Sequence, residues 1–347
     1  SLRRGATLAV ICVCHLVHDG LTDVLYVFLP FWQVSFDLPH SQIGLIMTAY
    51  MGALAMFQIP AGFLTERTGE RTLLIGGTVV AGLGFVVVGA VGVGGGFAGI
   101  LLVLLIAGMG SGVQHPLGSS LVATAYRNGG QRMAIGTYNF AGDLGKVAFP
   151  FVAALALTSF KWPSVSIGAG LVAIVGAVCF LIAMQRLGIG GSPTIERTDH
   201  DGSSGRGWGI HNKTGFGLLS AIGIVDTVTR YGCLTFLPFI LIDKGLSESR
   251  AGMALVLVFA GGAAGKFLCG FCAERLGVIR TVLLTEAVTV GGILLLVPLS
   301  PRAVFILLPV LGAALNGTSS VLYGSVVDFV VPQRQARAFG LFYTVVI

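Results

Sequence analysis

Gly62-Phe63-Leu64-Thr65-Glu66-Arg67-Thr68-Gly69 returns 208 residues later as Gly270-Phe271-Cys272-Ala273-Glu274-Arg275-Leu276-Gly277. The same offset carries Phe28-Leu29-Pro30-Phe31 onto Phe236-Leu237-Pro238-Phe239 and Ser41 onto Ser249. A gap-free match at separate stretches marks an internal duplication, so one architecture serves both halves.

The sequence around these copies is too apolar for a fold solvated by water. Of 347 residues, 54% are hydrophobic and 10% charged, and 52 are glycine, so lipid must solvate most of the surface. Apolar stretches long enough to cross ~30 Å of hydrocarbon at ~1.5 Å per residue run over 5–35, 41–65, 71–93, 97–127, 132–159 and 162–187. Further spans cover 214–243, 249–274, 278–299 and 302–331, and an eleventh opens near Gln335. The first run is too long for a signal-peptide core and contains His and Asp, so it reads as a retained helix. Between the halves, 188–213 is polar, rich in Gly and Ser, and without apolar periodicity, which predicts a flexible linker. The expected fold is an all-α membrane protein: a six-helix bundle over 1–187, a cytoplasmic linker over 188–213, and a second bundle over 214–347. An even number of helices separates the copies, so the repeat is parallel in the membrane. By that symmetry the chain stops inside helix eleven, and the last one to two helices are expected to be missing from it.

Charge placement supports this reading. The net charge of +6 comes from basic residues scattered through short turns, unlike the clustered face that a nucleic acid requires. With the N-terminus in the cytoplasm, Lys161, Lys244, Arg250 and Arg302 fall outside, and Lys146, Arg230 and Lys266 fall within spans; the other fourteen of 21 Lys and Arg lie inside. That asymmetry follows the positive-inside rule. It predicts a multi-pass protein of a bacterial inner membrane with a cytoplasmic N-terminus. All six cysteines lie in apolar segments and read as small hydrophobes, with no disulfide framework. No nucleophile motif, phosphate loop or cofactor fingerprint stands outside the spans, so neither an enzyme nor a cofactor is expected. A membrane sensor would be expected to carry a signalling domain, and none is recognisable.

The stretch from Gly62 to Arg71 resembles the signature of the major facilitator superfamily between its second and third helices, with Glu66 in place of the usual Asp. The resemblance implies two related six-helix bundles and a gate built from Gly62, Glu66, Arg67, Gly69 and Arg71, with Glu274 and Arg275 as the second copy. A charged turn that serves topology alone is the plainer alternative. On the gate reading, Glu66 forms a charged contact at the cytoplasmic end, and Glu66→Ala shifts the population toward inward-open. Within the superfamily, His15-Leu16-Val17-His18-Asp19, Gly108-Met109-Gly110-Ser111-Gly112-Val113-Gln114-His115-Pro116 and Gly142-Asp143-Leu144-Gly145 resemble the fosmidomycin-resistance branch. Asp143, Lys146 and Leu117 depart from its usual residues. This resemblance implies export of a drug or metabolite.

Ionisable groups are costly at the centre of a span and usually face the bundle interior. His15, Asp19 and Asp23 recur at four-residue spacing and make one stripe on the first helix. A buried carboxylate beside histidine can take up and release a proton as access alternates, so Asp19, His15, Asp23 and Asp143 are the expected proton-coupling groups. His18, Tyr26, Gln114, His115, Tyr138, Asn139, Lys146, Asp226 and Arg230 are the expected substrate groups, with Lys146 and Arg230 holding an anionic moiety. A structural alternative pairs Asp143 with Lys146 and Asp226 with Arg230 along their own helices. The expected function is proton-coupled export, by antiport and alternating access, of a small polar anionic or zwitterionic compound by a monomer. The alternatives are proton-coupled uptake of a small organic anion, and efflux of a divalent metal or its chelate through His15, His18, Asp19, Asp23 and His115.

Overall fold

The computed structural model describes residues 2–126, 129–191, 208–331 and 335–346. The chain divides into two compact units, Ser1–Ser204 and Gly205–Ile347. The described residues of the first form α1 (Leu2–Asp23), α2 (Leu25–Phe36), α3 (His40–Thr68), α4 (Glu70–Val91), α5 (Gly96–Ser111), α6 (Gln114–Ala125), α7 (Gln131–Ala156) and α8 (Trp162–Leu187). The second contributes α9 (Lys213–Asp243), α10 (Glu248–Leu276), α11 (Val278–Leu296), α12 (Pro301–Ser325) and α13 (Gln335–Val346). Among the described residues no strand forms beyond an isolated bridge between Ile210 and Val330.

The duplication is visible in the helix boundaries, since α3 and α10 begin and end 208 residues apart. Gly69 and Gly277 stop them with φ of 79° and 85°, a backbone conformation that side chains with a Cβ rarely adopt. The repeated glycine is therefore a helix stop before the next span.

Nine helices among the described residues are long and apolar enough to cross a membrane. Two expected spans are each built from two helices: 5–35 breaks at Val24, between α1 and α2, and 97–127 breaks at Gly112-Val113, between α5 and α6. The second break has a local cause. Pro116 has no N–H to donate to the Gly112 carbonyl one turn earlier, and its ring crowds that carbonyl. Although α7 has 26 residues, it is not among the nine; Asn139, Asp143 and Lys146 make it the most polar of the expected spans in the first unit.

In a bilayer, helices associate through close packing rather than through exclusion of water, and small residues set the approach. The Gly108-x-Gly110-x-Gly112 run shows this: a Cβ at Gly108 or Gly112 would strike the Tyr50 or Leu54 carbonyl of α3, and one at Gly110 would strike the Gly77 carbonyl of α4. The motif is thus a three-helix junction that seats the α5–α6 break. In the second unit, Phe216 and Leu219 of α9 share a core with Leu322 of α12 and Ala338, Phe342 and Val346 of α13.

Candidate functional site

The polar stripe of α1 faces α7 and α6. Gly142 makes this possible, because a Cβ there would lie 2.6 Å from Asp19 Oδ2 and 2.7 Å from His15 Cε1. One turn on, Gly145 meets the Leu16 backbone. The Gly142-x-x-Gly145 pattern is therefore the saddle that lets α7 lie against the charged face of α1.

Asp19 is buried, and its two oxygens have different surroundings. Three imidazole nitrogens converge on Oδ1: His15 Nε2 at 3.2 Å, His115 Nε2 at 3.7 Å and His18 Nε2 at 3.9 Å. Lys146 Nζ stands 3.4 Å from Oδ2 and 3.9 Å from Asp23 Oδ2, bridging the two carboxylates. His15 Nδ1 lies 2.8 Å from the Tyr138 carbonyl, which can only accept, so this nitrogen carries a proton and Nε2 is left to face Asp19. Nε2 is close to Oδ1 but not aligned as a hydrogen bond. The Tyr138 ring stacks on His15 with centroids 3.9 Å apart, and His115 stands edge-on to both His15 and His18. These contacts fix the rings around one carboxylate oxygen.

Exposure in this cluster is uneven. The side chains of Asp19 and Asp23 are 6% and 10% exposed, whereas those of Lys146 and His115 are 27% and 34% exposed. The accessible face therefore presents cation-forming donors, and the carboxylates lie behind them.

Of the expected groups, the structure brings together His15, His18, Asp19, Asp23, His115, Tyr138 and Lys146. Gln114 is buried beside them, accepting from Cys14 Sγ at 3.6 Å. Asp143 and Tyr26 are also buried, while Asn139 is exposed. On its own helix Asp19 has only histidines close by, as its sequence suggests; what that reading lacks is that Lys146 arrives from α7. Lys146 thus contacts the α1 carboxylates, a partnership across helices that residue spacing does not reveal. Sequence inspection also misses a neighbouring network in which Tyr50 Oη of α3 contacts Ser111 Oγ at 2.7 Å and Thr22 Oγ1 at 3.3 Å. Such partners are scattered in the chain and leave no spacing to detect.

His15, Asp19 and His115 offer metal-ligand atoms that all lie within 4.8 Å of one another. A divalent ion there would sit against the Lys146 ammonium, whose charge opposes it. The donor set suits protons better than metal.

In the second unit, Asp226 of α9 is buried, with Glu286 of α11 and Arg230 as electrostatic neighbours. Arg230 also lies over the Tyr231 ring at 4.9 Å, and Tyr323 stacks on Tyr343 at 4.6 Å. Glu286 is absent from the sequence-derived set.

At the expected gate, Arg71 Nε donates to the Ile189 carbonyl at 2.8 Å and Arg71 N to Gly190 O at 2.9 Å, while Arg3 donates to Leu187 O at 3.1 and 2.8 Å. Two arginines thus cap the C-terminal end of α8, where orphan carbonyls and the helix dipole favour cations. Glu70, not in the expected set, accepts from Ser120 Oγ at 2.8 Å. Arg67 and Glu274 are exposed, and Arg275 lies over the Phe271 ring at 4.5 Å. The side chain of Glu66 and the surroundings of Gly62 lie outside the described residues.

The family model described as Major Facilitator Superfamily matches residues 11–346. The hexuronate transporter of Bacillus subtilis is 25% identical over 92% of this chain and 79% of its own. The tetracenomycin C resistance and export protein of Streptomyces glaucescens is 30% identical over 39% of this chain and 25% of its own. Across the curated relatives it matches, the chain spans between 25% and 79% of their lengths, and 41% of one from Bacillus subtilis. Among solved structures, a bacterial homologue of the human lysosomal transporter Spinster, inward-facing and occupied, superposes with a TM-score of 0.75 at 18% identity, over all of this chain and 79% of that one. With its membrane-spanning helices, duplicated halves and intramembrane polar cluster, the chain belongs to the Major Facilitator Superfamily, whose members are multi-pass membrane transporters of small molecules rather than enzymes.

Proposed function

We propose that this chain is a proton-coupled secondary transporter of a small organic anion, with Asp19 as the proton-coupling group and Lys146 as the cation that the anion engages. The observation that carries this reading is Lys146 itself, partly exposed and held between the buried carboxylates of Asp19 and Asp23. An anion that draws Lys146 away leaves Asp19 a buried, uncompensated charge, which protonation relieves. Conversely, a proton on Asp19 frees Lys146. Anion and proton therefore favour each other's binding by the same factor, so they travel together and the proton gradient drives uptake. The hexuronate transporter, a relative whose match runs along most of the chain, supports an anionic substrate. On the same reading, Asp23 and Asp143 are secondary proton groups, and His18, Tyr26, Gln114, Tyr138 and Asn139 of the first unit contact the substrate.

Export by exchange is the second reading, favoured by the resemblance to the fosmidomycin-resistance branch and by the tetracenomycin exporter. Exchange requires proton and substrate to exclude each other, and at this cluster only a cationic group competing for Asp19 does so. The two readings thus differ in substrate charge. Proteoliposomes under an imposed pH gradient separate them: the account predicts that a hexuronate or a comparable organic anion accumulates in the direction of proton flow. Accumulation of an amine or zwitterion against proton flow, with no anion transport, overturns it in favour of exchange.

A further inference from the structure

Away from the polar cluster, the first unit holds a cavity of about 610 Å³, within the ~300–1,000 Å³ range of ligand-sized pockets. Its walls come from one face each of α7 and α8, and small residues leave it open: Ala148, Ala153 and Ala156 on α7, Gly168 and Ala169 on α8. A Cβ added at Gly168 would meet nothing within 4 Å. Val152, Phe160 and Val172 line it and are exposed, so it is a groove open along its length rather than a sealed void. Both walls belong to expected membrane spans.

Three observations select an occupant. The lining is apolar save for Ser164, so it offers water almost no hydrogen-bond partner and favours an apolar guest. Along α8 the lining runs from Ser164 to Val172, about 12 Å at the helical rise, which fits within one leaflet of the ~30 Å hydrocarbon core. At its end stands the exposed Lys161, flanked by the exposed Phe160, an aromatic and a cation side by side as at a membrane–water interface. We propose that the α7–α8 groove is a phospholipid site, which seats one acyl chain against Gly168 and pairs the phosphate with Lys161. The inner wall is Val24, at the α1–α2 break, and Phe149, which abuts Gly20 of α1. The bound chain therefore braces the helix that carries Asp19.

Photolabelling in nanodiscs tests the proposal, using the full chain and phosphatidylglycerol or phosphatidylcholine with a diazirine in the acyl chain. Peptides covering 148–172 should be labelled several-fold more heavily than the stretch of α4 around the exposed Leu83 and Val87. Gly168→Leu should bring that labelling down to the α4 level. Lys161→Gln should remove a preference for phosphatidylglycerol of about fivefold, the ratio expected for one lysine at a membrane surface. Wild-type labelling equal to that of α4, or equal labelling by the two lipids, overturns the assignment. The wild-type comparison stands even if Gly168→Leu fails to fold.

Discussion

Replacing Lys146 with Gln removes the cation between Asp19 and Asp23 and leaves the shape of α7 nearly unchanged. At separations of 3.4 and 3.9 Å and an effective dielectric of ~20, each carboxylate attracts the ammonium by roughly 4–5 kcal/mol. Water reaching the side chain of Lys146, which is 27% exposed, screens part of this attraction, and desolvation offsets more. A net coupling between Lys146 and Asp19 of about 1.5–3 kcal/mol remains. Lys146→Gln alone should lower the melting temperature of the purified protein by several degrees, on a scale of ~2–4 °C per kcal/mol for a unit of this size. Asp19→Asn introduced into that variant should restore much of the loss, because it removes the carboxylate left uncompensated. The assay is a double-mutant cycle on thermal unfolding at neutral pH, repeated at low pH, where protonation of the carboxylates should shrink the coupling. A coupling within ~0.5 kcal/mol of zero at neutral pH would refute the reasoning.

Other parts of the site yield independent expectations. Gly142→Ala drives a Cβ into Asp19 and His15, and overpacking of this kind costs ~1–3 kcal/mol; transport should fall steeply while the protein still inserts and elutes as a single species. Arg71→Ala removes the bond to Ile189 O and should cost ~1 kcal/mol of thermal stability with substrate affinity unchanged, as ligand-shift melting can check. Zinc at concentrations that saturate a His-His-Asp site should leave the melting temperature unchanged, since the Lys146 ammonium occupies the cluster electrostatically; a rise lost in His115→Ala would restore metal efflux as the reading.

The fold was largely legible because membrane helices announce themselves by length and hydropathy, and the 208-residue offset predicts the bounds of α10 from those of α3. The α1 stripe was equally legible, since four-residue spacing places His15, Asp19 and Asp23 on one face whatever lies opposite. What lies opposite was not. The partner of Lys146 depends on how α7 docks, and that rests on two missing Cβ atoms at Gly142 and Gly145, which sequence shows only as a glycine pattern. Asn139 is exposed although Tyr138 is buried, because adjacent helical residues point ~100° apart. Glu70 escapes notice for a related reason: it finds its partner, Ser120 of α6, on another helix.

The central claim, that Asp19 carries the coupled proton while Lys146 meets the anion, is tested most directly by Asp19→Asn in proteoliposomes assayed two ways. The account predicts that accumulation driven by a pH gradient is lost, while exchange of labelled for unlabelled anion, which needs no net proton movement, continues. Full gradient-driven accumulation by Asp19→Asn would contradict it and move the coupling to Asp23 or Asp143.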